Sequence, residues 1–199
     1  MTPTITALDY YVGHLEPLES LANTPEEEDA INTLTSIGLR TYSRSDLRVA
    51  DMAAAAMRKT IERSGVAPAD VQAVVFATES QWDYEPPTVR RRDNSRKFRQ
   101  DIYKAIWEVG LTNAYPFGVM FSGCGNLVSA VAMASNMVRT QGLENVLVVV
   151  SDRQAEGTTR VMFPAVGVVS DAAASCLVTS RPVAGFIIDD VVLHSNLGL

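Results

Sequence analysis

One stretch constrains this chain more than any other. Residues 117–142, FGVMFSGCGNLVSAVAMASNMVRTQG, pass from a strand-like run into a helix through a turn that carries a cysteine. Upstream, residues 115–121 are apolar and aromatic enough for a buried strand. Downstream, Leu127, Ala130, Val131, Ala134, Met137 and Val138 recur at helical spacing. The turn between them is Ser122-Gly123-Cys124-Gly125. Glycine on both sides of Cys124 permits a tight, strained turn and the close approach of another backbone or an acyl group. A helix that starts at Cys124 aims its free N–H groups and its positive end at the sulfur, which favours the thiolate. Thiolate is the form that attacks acyl groups. The competing reading is an inert, buried cysteine acting as a small hydrophobe. The flanking glycines and the junction position favour the nucleophile.

The rest of the chain supplies a sheet for this unit. Thr4–Val12 alternates and is rich in β-formers, so it reads as a strand. Thr24-Pro25-Glu26-Glu27-Glu28 reads as an N-cap, a first-turn proline and acids on the positive helix end, opening a helix that runs to about Ile37 and stops at Gly38. The acids are expected to form a solvated first turn rather than a docking patch. Residues 46–63 hold Leu47, Ala50, Ala54, Met57 and Ile61 at helical spacing, with Gly65 and Pro68 beyond. Ala73–Ala77 is short and apolar, which predicts a central strand. Residues 95–109 resume a helical pattern. Residues 145–151 read as a strand covered on both faces, and Ala172–Thr179 and residues 185–194 as two strands joined in a hairpin through Ser180-Arg181-Pro182. Cys176 falls in the first of these and is assigned to the core. Alternation of this kind predicts an α/β fold: a mixed, mostly parallel sheet of five to six strands with helices on both faces.

At 199 residues the chain is expected to form a single domain, 1–199. Hydrophobic residues make up 47% and charged ones 20%, which argues against long disorder. Net charge is −6 and the pI near 4.9, so nucleic acid is not an expected partner. No apolar run approaches a membrane span, so no membrane role is expected. Two cysteines and no signal-peptide pattern predict a cytoplasmic protein. No metal-ligand spacing or phosphate loop is present. The acidic chain nevertheless carries one basic cluster, Arg90, Arg91, Arg92, Arg96, Lys97 and Arg99. It reads either as a receptor for a phosphate or an acidic partner surface, or as a solvated loop and helix face.

These residues resemble the thiolase superfamily, and within it the ketoacyl-ACP synthase III branch of condensing enzymes. Ile37-Gly38-Leu39-Arg40, Asp51-Met52-Ala53-Ala54-Ala55-Ala56, residues 65–71 and Phe76-Ala77-Thr78 follow that family's first half in order. Leu111-Thr112-Asn113-Ala114-Tyr115, Ser122-Gly123-Cys124-Gly125, residues 146–152 and Ser170-Asp171-Ala172-Ala173-Ala174 continue it. The resemblance implies a thiolase-like N-terminal-type domain whose C-terminal half is absent. It makes Cys124 the acyl-accepting nucleophile, its own N–H contributing to the oxyanion hole, and Gly123 and Gly125 residues that let the substrate approach. It implies no bound cofactor, and a phosphopantetheine thioester as substrate, on acyl carrier protein or on coenzyme A.

Three differences from the family shape the functional reading. The histidine and asparagine that accompany the cysteine belong to the family's second half; here only His14 and a terminal His194-Ser195-Asn196 offer such groups, and the latter reads as an exposed strand end. Asn32 and Ser36 stand where the family carries a tryptophan and an arginine that hold coenzyme A, which favours carrier protein as donor. The family's Gly-Asp-Gly-Ala turn is Ser170-Asp171-Ala172-Ala173. A lone half would also leave a helix layer uncovered, which calls for a partner. The expected function is therefore an acyltransferase or condensing-enzyme subunit in fatty-acid-like or polyketide biosynthesis. Cys124 would take an acyl group from acyl carrier protein docked with help from Arg90, Arg91 and Arg92, and a second chain, or a second copy, would complete the site. The alternatives are a catalytically silent thiolase-like subunit and a stand-alone acyltransferase to an amine or hydroxyl.

Overall fold

Thr4–Val12 forms β1 and runs on, past Gly13, into a short β2 (His14–Pro17). In the computed structural model, which describes residues 2–83 and 94–192, α1 (Pro25–Ser36) follows. Its cap is built as the sequence predicts: the Thr24 side chain accepts from the Glu27 N–H at 3.2 Å. The acidic first turn is not uniformly solvated, however. Glu27 is buried, its carboxylate accepting from the Thr159 hydroxyl at 2.6 Å and from the Asn23 N–H at 3.1 Å. The Thr159 hydroxyl, and then the Asn23 and Thr24 contacts, hold its carboxyl below the ordinary range against the opposing effect of desolvation.

After β3 (Thr41–Arg44) comes α2 (Val49–Ser64), closed by Gly65 in a left-handed conformation, then β4 (Ala73–Ala77), α3 (Asn94–Glu108) and β5 (Tyr115–Val119). A single 3₁₀ turn, Gly123–Gly125, leads into α4 (Asn126–Gln141), so the helix starts two residues beyond the cysteine. The chain ends its described part with β6 (Asn145–Asp152), β7 (Val161–Met162), β8 (Gly167–Val168), β9 (Ala172–Thr179) and β10 (Phe186–Ile187).

Among the described residues six strands form one mixed sheet in the order β10-β1-β9-β6-β4-β5. β4 runs parallel to both β5 and β6, with Val75 beside Phe117 on one side and Val148 on the other. β9, β1 and β10 extend the sheet antiparallel. All five residues of β4 are buried, as the apolar run predicts for a central strand. β5 was expected to be buried, yet it is the edge strand, with Tyr115 66% exposed; its aromatic character covers a half-open surface. The expected hairpin between β9 and β10 does not form. β10 crosses to pair with β1, with Ile5 opposite Phe186, because that edge is open whereas β9 is already bonded on both sides by β1 and β6.

Helices cover both faces. α2 and α3 pack on one, where Met52, Met57, Phe98 and Ile102 meet Val74, Phe76, Leu147 and Leu177. Among the described residues α4 stands as the helix on the other face, where Ala130, Ala134, Met137 and Val138 meet Val75, Val146, Val148 and Cys176. The small residues of α2 and α4 let both helices lie close to the sheet. Burying each of Val74, Val75, Val146, Val148 and Val149 contributes about 1.5–3 kcal/mol. Nothing in residue type or spacing signals the two-stranded ribbon of β2 and β3 or the β7–β8 pair, since each strand there is four residues or fewer.

Candidate active site

The parallel strands β6, β4 and β5 end side by side, and each ends in a polar residue of one cluster. Asp152 closes β6, Thr78, Glu79 and Ser80 follow β4, and the Cys124 turn follows β5. The crossover from β4 to β5 uses α3 on one face, and that from β5 to β6 uses α4 on the other. Such a change of face opens a crevice at the carboxyl ends of parallel strands, where open α/β sheets bind ligands.

Cys124 is exposed, and the amino end of α4 lies immediately beyond it. Gly123 has φ +52, a conformation that L-residues rarely adopt, and an added Cβ would meet nothing within 4 Å, so the space beside Gly123 is open. Gly125, at φ −84, occupies an ordinary region, so only one of the two flanking glycines is required by the backbone. Phe121, at φ +71 and 91% exposed, projects next to the turn.

The turn is held by side chains. One Glu79 carboxylate oxygen accepts from the N–H groups of Phe121 at 3.1 Å and Gly123 at 3.0 Å, and from the Asn126 amide at 2.7 Å. Asn126, which is buried, returns its own oxygen to the Ser122 N–H at 3.1 Å. The loop carrying Glu79 is fixed by Asp152, whose Oδ1 accepts from the Thr78 hydroxyl at 2.9 Å, the Glu79 N–H at 2.8 Å and the Ser80 hydroxyl at 2.9 Å. Neither Glu79 nor Asn126 stands out in the sequence as a site residue. The available signal was a run of polar residues, Thr78-Glu79-Ser80, at the end of an otherwise apolar strand.

The other cysteine behaves as expected of core. Cys176 is 4% exposed on β9, and burial pushes its thiol up to about 12. Arg90, Arg91 and Arg92 lie outside the described residues, as does His194-Ser195-Asn196. The remainder of the basic cluster lies on α3, where Arg96 and Arg99 are exposed and Lys97 pairs with Asp101 at 2.8 Å. His14 is exposed on the β2–β3 ribbon and not at the strand ends that carry Cys124. Asn32 and Ser36 are exposed on α1, with the Ser36 hydroxyl donating to the Thr33 carbonyl.

The Ser170-Asp171-Ala172-Ala173 turn is satisfied without glycine. Asp171 is fully buried and accepts from both Arg160 terminal nitrogens, at 2.8 and 2.9 Å, from the Gln154 N–H at 2.8 Å and from the Ser45 N–H at 2.9 Å. Arg160 in turn lies 5.5 Å over the Tyr42 ring. A cleft of about 380 Å³ opens beside this pair, lined by Asn23, Glu27, Tyr42, Arg153, Thr158 and Arg160 among others. Cys124 is not part of its wall. Among the described residues no group of three or more His, Cys, Asp or Glu is placed to hold a metal, and no helix is long and apolar enough to cross a membrane.

No family model matches the chain. It is 28% identical over 152 residues to a beta-ketoacyl-[acyl-carrier-protein] synthase III of Streptomyces lividans, an alignment covering 73% of this chain and 40% of that protein. The chain thus spans well under half the length of that relative. Among solved structures it superposes on the priming beta-ketosynthase of the R1128 polyketide biosynthetic pathway with a TM-score of 0.64 and 21% identity, over 91% of this chain and 51% of the other. It superposes likewise on ChlB3, described as an acyltransferase, with a TM-score of 0.65 and 17% identity, over 92% of this chain and 51% of the other. The chain therefore has the fold of ketoacyl-ACP synthase III-type enzymes over about half of their length, and its sequence is similar to part of a beta-ketoacyl-[acyl-carrier-protein] synthase III.

Proposed function

We propose that this domain accepts an acyl group onto Cys124 from the phosphopantetheine thioester of an acyl carrier protein, as the nucleophile-bearing part of an acyltransferase or condensing enzyme in fatty-acid-like or polyketide biosynthesis. The observation that carries the reading is an exposed cysteine held in a side-chain-bonded turn, at the amino end of a 16-residue helix and the carboxyl end of a parallel strand. In acyl transfer the sulfur attacks the thioester carbonyl, the carbonyl oxygen takes up negative charge, and the pantetheine thiolate leaves with the proton taken from Cys124. The Cys124 N–H is proposed to meet that oxygen, since those of Gly123, Gly125 and Asn126 are donated to Glu79, to the Ser122 carbonyl and to the Gly123 carbonyl.

Proton handling is assigned to a histidine and an asparagine on a complementary thiolase-like half, carried by a partner chain or a second copy. The outward side chains of α4 near the cysteine, Leu127 at 40% and Val128 at 49% exposure, offer it apolar surface. Arg90, Arg91 and Arg92 are proposed to meet the acidic carrier protein.

Intact-protein mass spectrometry after incubation with acyl-loaded carrier protein tests the reading. An adduct is expected on the native chain and on Cys176→Ala but not on Cys124→Ala. An adduct that persists in Cys124→Ala removes Cys124 as the nucleophile. Complete absence of adduct, with or without the complementary half, selects the silent thiolase-like subunit instead.

A further inference from the structure

We infer that Glu79 is a positioning residue that holds the Cys124 turn in its reactive shape, and that Asp152 holds Glu79 in place; this deepens the reading of Cys124 as nucleophile and rests on it. Residues 121–123 form an unfavourable backbone: Phe121 and Gly123 both have positive φ, and a left-handed non-glycine residue costs on the order of 1–3 kcal/mol. Such a turn persists only where its surroundings over-determine it. Here they do, since the N–H of Phe121 and that of Gly123 converge on Glu79 Oε1, and the N–H of Ser122 is taken by Asn126, itself bonded to the same Glu79 oxygen. Hydrogen bonds to a carboxylate are about twice as strong as neutral ones, which suits one oxygen receiving three donors.

The support continues one layer back. Asp152 Oδ1 receives the Thr78 hydroxyl and the N–H groups of Glu79 and Ser80, and the Ser80 hydroxyl also reaches the Arg153 carbonyl at 3.0 Å. The Thr78 N–H donates to the Val119 carbonyl at 3.2 Å, tying the loop to the end of β5. The three parallel strand ends are therefore bonded in series, from β6 through β4 to the cysteine.

Glu79 acts on Cys124 through the shape of the turn, which its carboxylate oxygen holds by three hydrogen bonds. Substitution isolates that role, because Glu79→Gln keeps an acceptor oxygen in place, whereas Glu79→Ala removes it.

The test uses the full 199-residue chain with Cys176→Ala as background and two readouts: acyl transfer from acyl-loaded carrier protein, and the rate of Cys124 alkylation by iodoacetamide at one pH. Glu79→Ala is expected to slow acyl transfer about 10- to 100-fold, the cost of a nucleophile displaced by about an ångström, and to change the alkylation rate. Glu79→Gln, which keeps an acceptor oxygen, is expected to retain acyl transfer within a few-fold. Acyl transfer by Glu79→Ala at the native rate overturns the inference. So does an alkylation rate unchanged in both variants while both lose thermal stability, which marks Glu79 as merely structural. If the native chain is alkylated but never acylated, with or without the complementary half, the nucleophile reading fails, while the alkylation rates still decide whether Glu79 shapes the turn.

Discussion

Removing the Asp171 carboxylate should unfold part of this chain, and the size of the effect follows from its surroundings. Asp171 is 0% exposed, and the Arg160 side chain it neutralises is 12% exposed. Asp171→Ala leaves that guanidinium unpaired in a poorly hydrated site, together with the N–H groups of Ser45 and Gln154. Breaking a buried pair from one side costs about 3–5 kcal/mol, which for a domain of this size corresponds to a fall in melting temperature of roughly 6–20 °C. Asp171→Asn preserves the volume and one acceptor but not the charge, and should lose most of the same stability. Acid provides an independent check. Burial by itself would push the Asp171 carboxyl up, but Arg160 and the N–H groups of Gln154 and Ser45 outweigh it, so its value in the folded chain is lowered. The contribution is then complete above the unfolded carboxylate value, about 3.9, and is lost as pH falls through the lower folded value. Urea unfolding at neutral pH, repeated toward pH 3, measures both effects. The native chain should lose stability in that acid window more steeply than Asp171→Asn. A stability of Asp171→Ala within 1 kcal/mol of the native chain, about the worth of a single cap, would refute the argument.

Two further outcomes are expected. Thr24→Ala removes the hydroxyl that caps α1 and should destabilise the chain by about 1 kcal/mol, read as a shift in the urea midpoint at constant slope. Reversal of charge at Arg91 and Arg92 to glutamate should weaken carrier-protein binding more at low salt than at high salt, measured by titration at two ionic strengths; equal affinity at low salt would show that these arginines are solvated surface.

The alternation of helix and strand, the capped start of α1, the buried central strand β4 and the placement of Cys124 at a strand-to-helix turn were all readable from residue type and spacing, because each depends on neighbours close in sequence. Cys176 was likewise legible as core from its apolar strand. Other features were decided by which edges remained free once the sheet formed. β5 came to lie at the sheet edge, and β10 left β9 for β1, since hydrogen-bonding partners distant in sequence competed for the same strand.

The site divides along the same line. Sequence alone singled out Cys124 as the candidate nucleophile, with a glycine beside it, for a turn of this kind needs a residue free to adopt positive φ and a helix soon after the sulfur. Only the tertiary structure decided what braces them. Glu79 lies 45 residues before Cys124 and Asp152 lies 28 after it, and neither separation has a periodicity that betrays contact. They meet because parallel strands β4, β5 and β6 align their carboxyl ends, and that alignment is a property of the assembled sheet.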